Sequence, residues 1–246
     1  MPGRRDFILG CCAVIASAQS RAAPGSLASD DLDQLGAFER VLGQPGIVVG
    51  VPHGTSDTGT LEAGRIVREI LNAGGVFVTG FWDSKTRQRI NVNRPTEALI
   101  ADKSNIVRQW PSARAVAANA RYEALVTEAA QGPLRMFYEM HTNSRADLAG
   151  SVEASTVGIG RREAMRLKEA FAAACERLDR EIPRLAMHVS PVDHVTYPNY
   201  AHASSISRIS AKGCAIEHPV SVYGRRPWRV AYARCLAEAI MAAGWR

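Results

Sequence analysis

Apolar positions along the chain fall into short runs separated by windows of helical spacing. Ile47-Val48-Val49-Gly50-Val51 is a continuous apolar run of strand length, stopped by Pro52. Leu134 to Met140, Leu185 to Val189 and Cys214-Ala215-Ile216 read the same way, as does the shorter Val76-Phe77-Val78. Gln88 to Asn93 alternates apolar and polar residues like a half-buried strand. Between these runs the period changes. Leu61, Ile66, Ile70 and Leu71 predict a helix that ends at Gly74-Gly75. Residues 114–130 form an alanine-rich helical window, Arg161 to Leu178 a longer one carrying Met165, Leu167, Phe171 and Cys175, and 228–243 a closing helix. Leu35, Phe38, Val41 and Leu42 predict a short helix before the first strand. Strands interleaved with helices imply a single α/β domain with a mostly parallel, mixed sheet covered by helices on both faces. The polar stretch 190–212, rich in Ser, His, Tyr and Asn, is long for a connection inside a compact domain and reads as a functional loop.

The pattern matters for chemistry because of what stands where the apolar runs stop. His53 follows the first, His141 follows the second, and Glu217 follows Ala215-Ile216. Open α/β sheets bind ligands outside the carboxyl ends of their strands. Two histidines with nearby carboxylates at such a place suit a catalytic zinc site.

Composition narrows the classes. With 246 residues, 46% hydrophobic and 22% charged, the chain can bury one sizeable core. Arg4-Arg5, Phe7 and Leu9, the apolar stretch from Gly10 to Ala18 and the small Ala16-Ser17-Ala18 read as a removable signal peptide over residues 1–22. The paired arginines favour the twin-arginine route, with an ordinary Sec signal as the alternative, and place the mature protein in the periplasm. Residues 23–32 read as a flexible lead and 33–246 as the catalytic domain. Losing Arg4, Arg5, Arg21 and Asp6 with the signal takes the formal charge from +6 to +4. No basic run or aromatic-basic stripe remains, which argues against nucleic acid. No later segment is apolar enough to span a membrane. The residual positive charge favours an anionic substrate. Cys175, Cys214 and Cys235 remain after cleavage and read as buried small hydrophobes, with one disulfide open to an oxidising compartment. The four tryptophans, Trp82, Trp110, Trp228 and Trp245, read as packing residues.

Pro52-His53-Gly54, Asn93-Arg94-Pro95 and Glu139-Met140-His141, in this order, resemble the N-formylglutamate amidohydrolase family. They also look like phage-type poly-γ-glutamate hydrolases, and both groups belong to the zinc carboxypeptidase-like fold. The resemblance is carried by short motifs spread over residues 47–217. It implies one Zn2+ held by His53, His141 and a carboxylate soon after the first histidine. Asp57 stands four residues on, where carboxypeptidases use a closer His-x-x-Glu, and Glu62 is the alternative. It implies that Asn93 and Arg94 hold a substrate carboxylate, for which a guanidinium fork is suited. It implies that Glu217 activates the attacking water, with Glu139 as rival base or as the residue that orients His141. Tyr197, Tyr200, His194 and His202 lie in the polar stretch that could reach over the site. The expected activity is hydrolysis of an amide bond in an N-acyl amino acid or glutamate-like substrate, small or peptide-like and bearing a carboxylate. Two alternatives stay open: the same chemistry on γ-linked glutamate polymer or cell-wall peptide, and a secreted binding protein that keeps the fold without the chemistry.

Overall fold

A seven-stranded sheet is the frame. The computed structural model describes residues 32–101, 106–177, 183–197, 200–223 and 225–245; the expected signal peptide and most of the lead that follows it lie outside them. The chain runs β1 (Gly36–Val41), β2 (Gln44–Val51), α1 (Thr60–Leu71) and β3 (Ala73–Gly80). A four-stranded antiparallel sheet follows: β4 (Trp82–Asp83), β5 (Gln88–Asn91), β6 (Thr96–Ile100) and β7 (Ile106–Pro111). Then come α2 (Ala113–Ala130), β8 (Met136–Asn143), β9 (Ser151–Val157), α3 (Arg161–Arg177) and β10 (Ala186–Val189). Two one-turn helices, α4 (Tyr200–Ala203) and α5 (Ile206–Ile209), precede β11 (Gly213–Pro219), α6 (Val220–Tyr223) and α7 (Arg226–Ala242). None of the described helices is long and apolar enough to cross a membrane.

The large sheet is mixed. In the order β1-β3-β2-β8-β11-β9-β10, the strands β3, β2, β8 and β11 run parallel to one another, β1 opposes β3, β9 opposes β11, and β10 runs parallel to β9. Both faces are covered because successive side chains of a strand point to opposite sides. Ile47, Val49 and Val51 of β2 pack with α1, α3 and α7, whereas Val48 joins Phe137 and α2 in a second core. α2 also leans on the four-stranded sheet, which therefore stands beside the mouth of the large one.

One expected element is corrected. Residues 36–41, read as helical from four apolar positions, form the edge strand β1. Phe38 turns inward against the Phe81 ring, 5.1 Å away, and its neighbours Ala37 and Glu39 are exposed, a period of two that four apolar residues do not distinguish from a helical one. The stretch 190–212 is not wholly loop, since it contains α4 and α5.

Candidate active site

The site forms where β2, β8 and β11 end. His53 lies two residues beyond β2, in a turn pinned by the Gly54 amide donating to the Val78 carbonyl at 3.0 Å. Gly54 is required there, because a Cβ would stand 2.7 Å from that same carbonyl oxygen. His141 and Glu217 are not the last residues of their strands; each lies two residues inside the end. They are direct neighbours in the parallel β8–β11 register. Their strand face also carries Glu139 and is the face under α2.

Asp57 reaches the same point. Its amide donates to the His53 carbonyl at 2.8 Å, its Oδ2 lies 3.6 Å from His141 Nδ1, and the Thr142 amide approaches that oxygen at 3.3 Å. The His53 and His141 rings have centroids 5.4 Å apart. His53, Asp57, Asn93, Arg94, His141 and Glu217 all line one small cavity of about 60 Å³, together with Arg89, Arg145 and Tyr197. The structure thus brings together His53, Asp57, Asn93, Arg94, His141 and Glu217, and of the polar stretch expected over the site it brings Tyr197. Glu62 is elsewhere: its carboxylate accepts from Arg226 at 2.8 Å and Arg229 at 2.6 Å, which holds it below the usual carboxylate range despite partial burial. Glu139 lies beneath His141, fully buried, with Oε2 3.6 Å from His141 Nε2 and accepting from Asn93 Nδ2 at 3.1 Å. The Asn93 amide is thereby engaged with the protein, and its carbonyl accepts from the Ser205 amide at 3.0 Å. Arg94 is presented by this fixed turn.

Electrostatics distinguishes the two histidines. Burial, reinforced by Arg89, His141 and Arg94, pushes His53 well below its ordinary range and keeps the imidazole neutral. Burial would also depress His141, but Asp57, Glu139 and Glu217 outweigh it and lift the ring to about 10. Burial raises Glu217 to about 7, with His141 pulling down and Asp57 pushing up. Three carboxylates therefore surround His141, and a proton on its ring supplies the positive charge they require.

Does this donor set fit a zinc ion? Among the described residues no three His, Cys, Asp or Glu donors already converge on one point. The pairwise spacings nevertheless suit one. Tetrahedral zinc with ligands at about 2.0–2.2 Å puts neighbouring donor atoms roughly 3.3–3.5 Å apart, close to the 3.6 Å between Asp57 Oδ2 and His141 Nδ1. Two imidazoles on one such ion place their ring centres about 5 Å apart by the same geometry, close to the observed 5.4 Å. A dication would replace the His141 proton as the partner of these carboxylates. The set fits, and Glu139 then holds the far nitrogen of the ring.

Two further residues escaped the sequence reading. Arg89 projects from β5 onto Asp57 at 3.6 Å, and nothing but the alternation of that strand could have pointed to it. Glu153, on the unforeseen strand β9, pairs in register with Glu217 and accepts the Thr196 amide at 2.9 and 3.0 Å. It thereby fixes the turn that brings Tyr197 to the cavity.

No protein-family model matches the sequence, and no curated protein matches it significantly. Solved structures share its fold. Gene product Atu2144 of Agrobacterium tumefaciens matches at TM-score 0.55 and 15% identity, over 85% of this chain and 94% of that one. A zinc-free apo form of YNDL matches at TM-score 0.52 and 11% identity, over 85% and 90%. A bacteriophage poly-gamma-glutamate hydrolase is a looser match, at TM-score 0.48 and 11% identity over 84% and 88%. At these identities the likeness is one of fold.

Proposed function

We propose that the protein is a zinc-dependent hydrolase that cleaves an amide bond in an N-acyl amino acid or glutamate-like substrate bearing a free carboxylate. The observation that carries this reading is that His53, Asp57 and His141, with pairwise spacings that suit zinc, line one cavity with a buried Glu217 and with Arg94. His53, Asp57 and His141 would hold the ion, which supplies a water of pKa about 7 and polarises a carbonyl. Glu217, buried at the cavity wall, takes the proton from the attacking water and delivers it to the departing nitrogen. Arg94, on the turn fixed through Asn93, forks onto the substrate carboxylate. Arg89, which lines the same cavity beside Asp57, is placed to stabilise negative charge on the carbonyl oxygen. Water adds to the acyl carbon, the C–N bond breaks, and an acid and an amine leave.

Elemental analysis of the purified full chain should find about one zinc per molecule, with most of it lost in His53→Ala and His141→Ala. The loaded protein should hydrolyse N-acyl glutamates and be silenced by a chelator. Full zinc in both variants, or no turnover of any N-acyl amino acid, defeats the reading. We propose further that the protein works in the periplasm after twin-arginine export; replacing Arg4 and Arg5 by lysine should then block export, and continued periplasmic appearance would indicate the Sec route.

A further inference from the structure

A second cavity continues the first. Resting on the hydrolase reading above, we propose that this groove binds the acyl side of the substrate, and that the acyl group is an extended, peptide-like chain of two or more residues. The inner cavity, about 60 Å³, has room for little beyond the reacting group. The adjoining groove holds about 330 Å³, within the roughly 300–1,000 Å³ of ligand pockets. The two share Asp57, Arg89, Thr142 and Ser144, so the groove opens from the metal side of the site. Asn93, Arg94, Arg145 and Tyr197 belong to the inner cavity alone. A substrate with its carboxylate on Arg94 therefore directs its acyl half into the groove.

The lining matches a chain. Trp82 and Ile100 of the four-stranded sheet face Val220 of α6 across it, and Val220 is 42% exposed, an apolar side chain left open to a ligand. Ser56 and Thr58 add hydroxyls for backbone groups. Among the lining residues the charges are Asp57, Arg87 and Arg89; Asp57 pairs with Arg89, and Arg87 is fixed by donating to the Ile100 carbonyl at 2.8 Å and the Ala101 carbonyl at 2.5 Å.

The test uses the zinc-loaded full chain and glutamates N-acylated with formyl or with one, two, three or four γ-glutamyl or alanyl residues. kcat/KM should rise roughly tenfold or more from formyl to three γ-glutamyl residues, because remote binding energy is used at the reacting centre. Trp82→Ala and Val220→Trp should shrink the length advantage to within about threefold. Rates independent of length, or an undiminished advantage in both variants, overturns the groove. Calorimetry of the same series on Glu217→Gln reads binding without turnover, and affinity independent of length overturns it as well. Failure of the wild type to hydrolyse anything defeats the hydrolase reading instead, so the two fail separately.

An independent observation concerns the opposite side of the large sheet. We infer that Cys175 of α3 and Cys235 of α7 close into a disulfide when the protein meets an oxidised thiol–disulfide partner. Their sulfurs stand 3.1 Å apart across the helix pair, sixty residues apart in sequence. Cys175 is half-buried and gives an exchange partner access, whereas Cys235 and Cys214 are buried. The two thiols lose two electrons and two protons to the partner's disulfide, which leaves as two thiols. After incubation with oxidised glutathione, peptide mapping should find Cys175 joined to Cys235 and Cys214 still free. Reduction should then lower Tm by roughly 5–15 °C. Cys175→Ser should abolish that response and Cys214→Ser should retain it. Alkylation of both Cys175 and Cys235 after the oxidation, or a link through Cys214, overturns the inference.

Discussion

Glu217 and Glu139 are both buried carboxylates beside His141, yet the cavity sees only Glu217. Their amide variants should therefore behave differently. Glu217→Gln keeps the shape and the zinc but cannot take a proton, so kcat should fall by about 10²–10⁴ with KM moving much less. Glu139→Gln leaves Glu217 in place and weakens the hold on His141, so zinc affinity should fall roughly 10–100-fold and added zinc should restore part of the activity. Steady-state rates with a zinc titration distinguish them, and exchanged phenotypes would make Glu139 the base. Arg94→Lys keeps the charge and loses the fork. KM should rise for a substrate with a free carboxylate and change little for its amide; equal losses on both would move Arg94 to another role.

At the scale of elements, the helix-and-strand framework supporting these residues was readable in part. β2, β3, β8 and β11 announce themselves as apolar runs because both of their faces are covered. That is also why His53, His141 and Glu217, standing where such runs stop, were legible as a site. β9 is buried too, but its sequence Ser151 to Val157 is half polar, and its burial comes from lying between β11 and β10 rather than from its own composition. Glu153 was hidden with it. The four-stranded sheet was read only as β5: β4 has two residues, β7 is exposed, and β6 buries the charged Glu97, which Arg114 holds, so the approach of Arg89 to Asp57 could not be foreseen. One contact between elements is sharp enough to test. Gly50 of β2 lies where a Cβ would meet the Tyr122 hydroxyl of α2 at 2.2 Å, and that hydroxyl faces Glu139. Gly50→Ala should cost about 1–3 kcal/mol in urea unfolding by overpacking. Adding Tyr122→Phe should recover part of the loss, and no recovery would put the strain elsewhere.

For the molecule as a whole, the site's burial ties stability to pH through adjacent residues of opposite sign. His218, fully buried and bonded to the Tyr232 hydroxyl, is pushed down to about 3 by burial and by the charge of His141. As pH falls from 6.5 towards 3 the unfolded chain takes up this proton first, so the folded state loses up to about 1.4 kcal/mol per unit. His53, also depressed by burial first, adds a loss of the same sign. Glu217 opposes them. Its folded pKa of about 7 lies above the ordinary 4.5, so between those values the folded state binds the proton first and gains as pH falls. His141, raised to about 10, contributes fully below 6.5 and loses its contribution only as pH rises towards 10, so it is silent in the acid window. Between pH 6.5 and 4.5, two histidines lose and one glutamate gains. Removing either group whose proton is fixed on folding should therefore change the slope of the zinc-free protein by about one proton per pH unit, near 1.4 kcal/mol. Glu217→Gln should make stability fall more steeply with acid by that amount, and His218→Gln should make it fall less steeply by the same amount. Urea midpoints at pH 6.5, 5.5 and 4.5 in the presence of a chelator measure all three slopes. Parallel slopes in the wild type and both variants would mean that neither buried group changes its protonation state on folding.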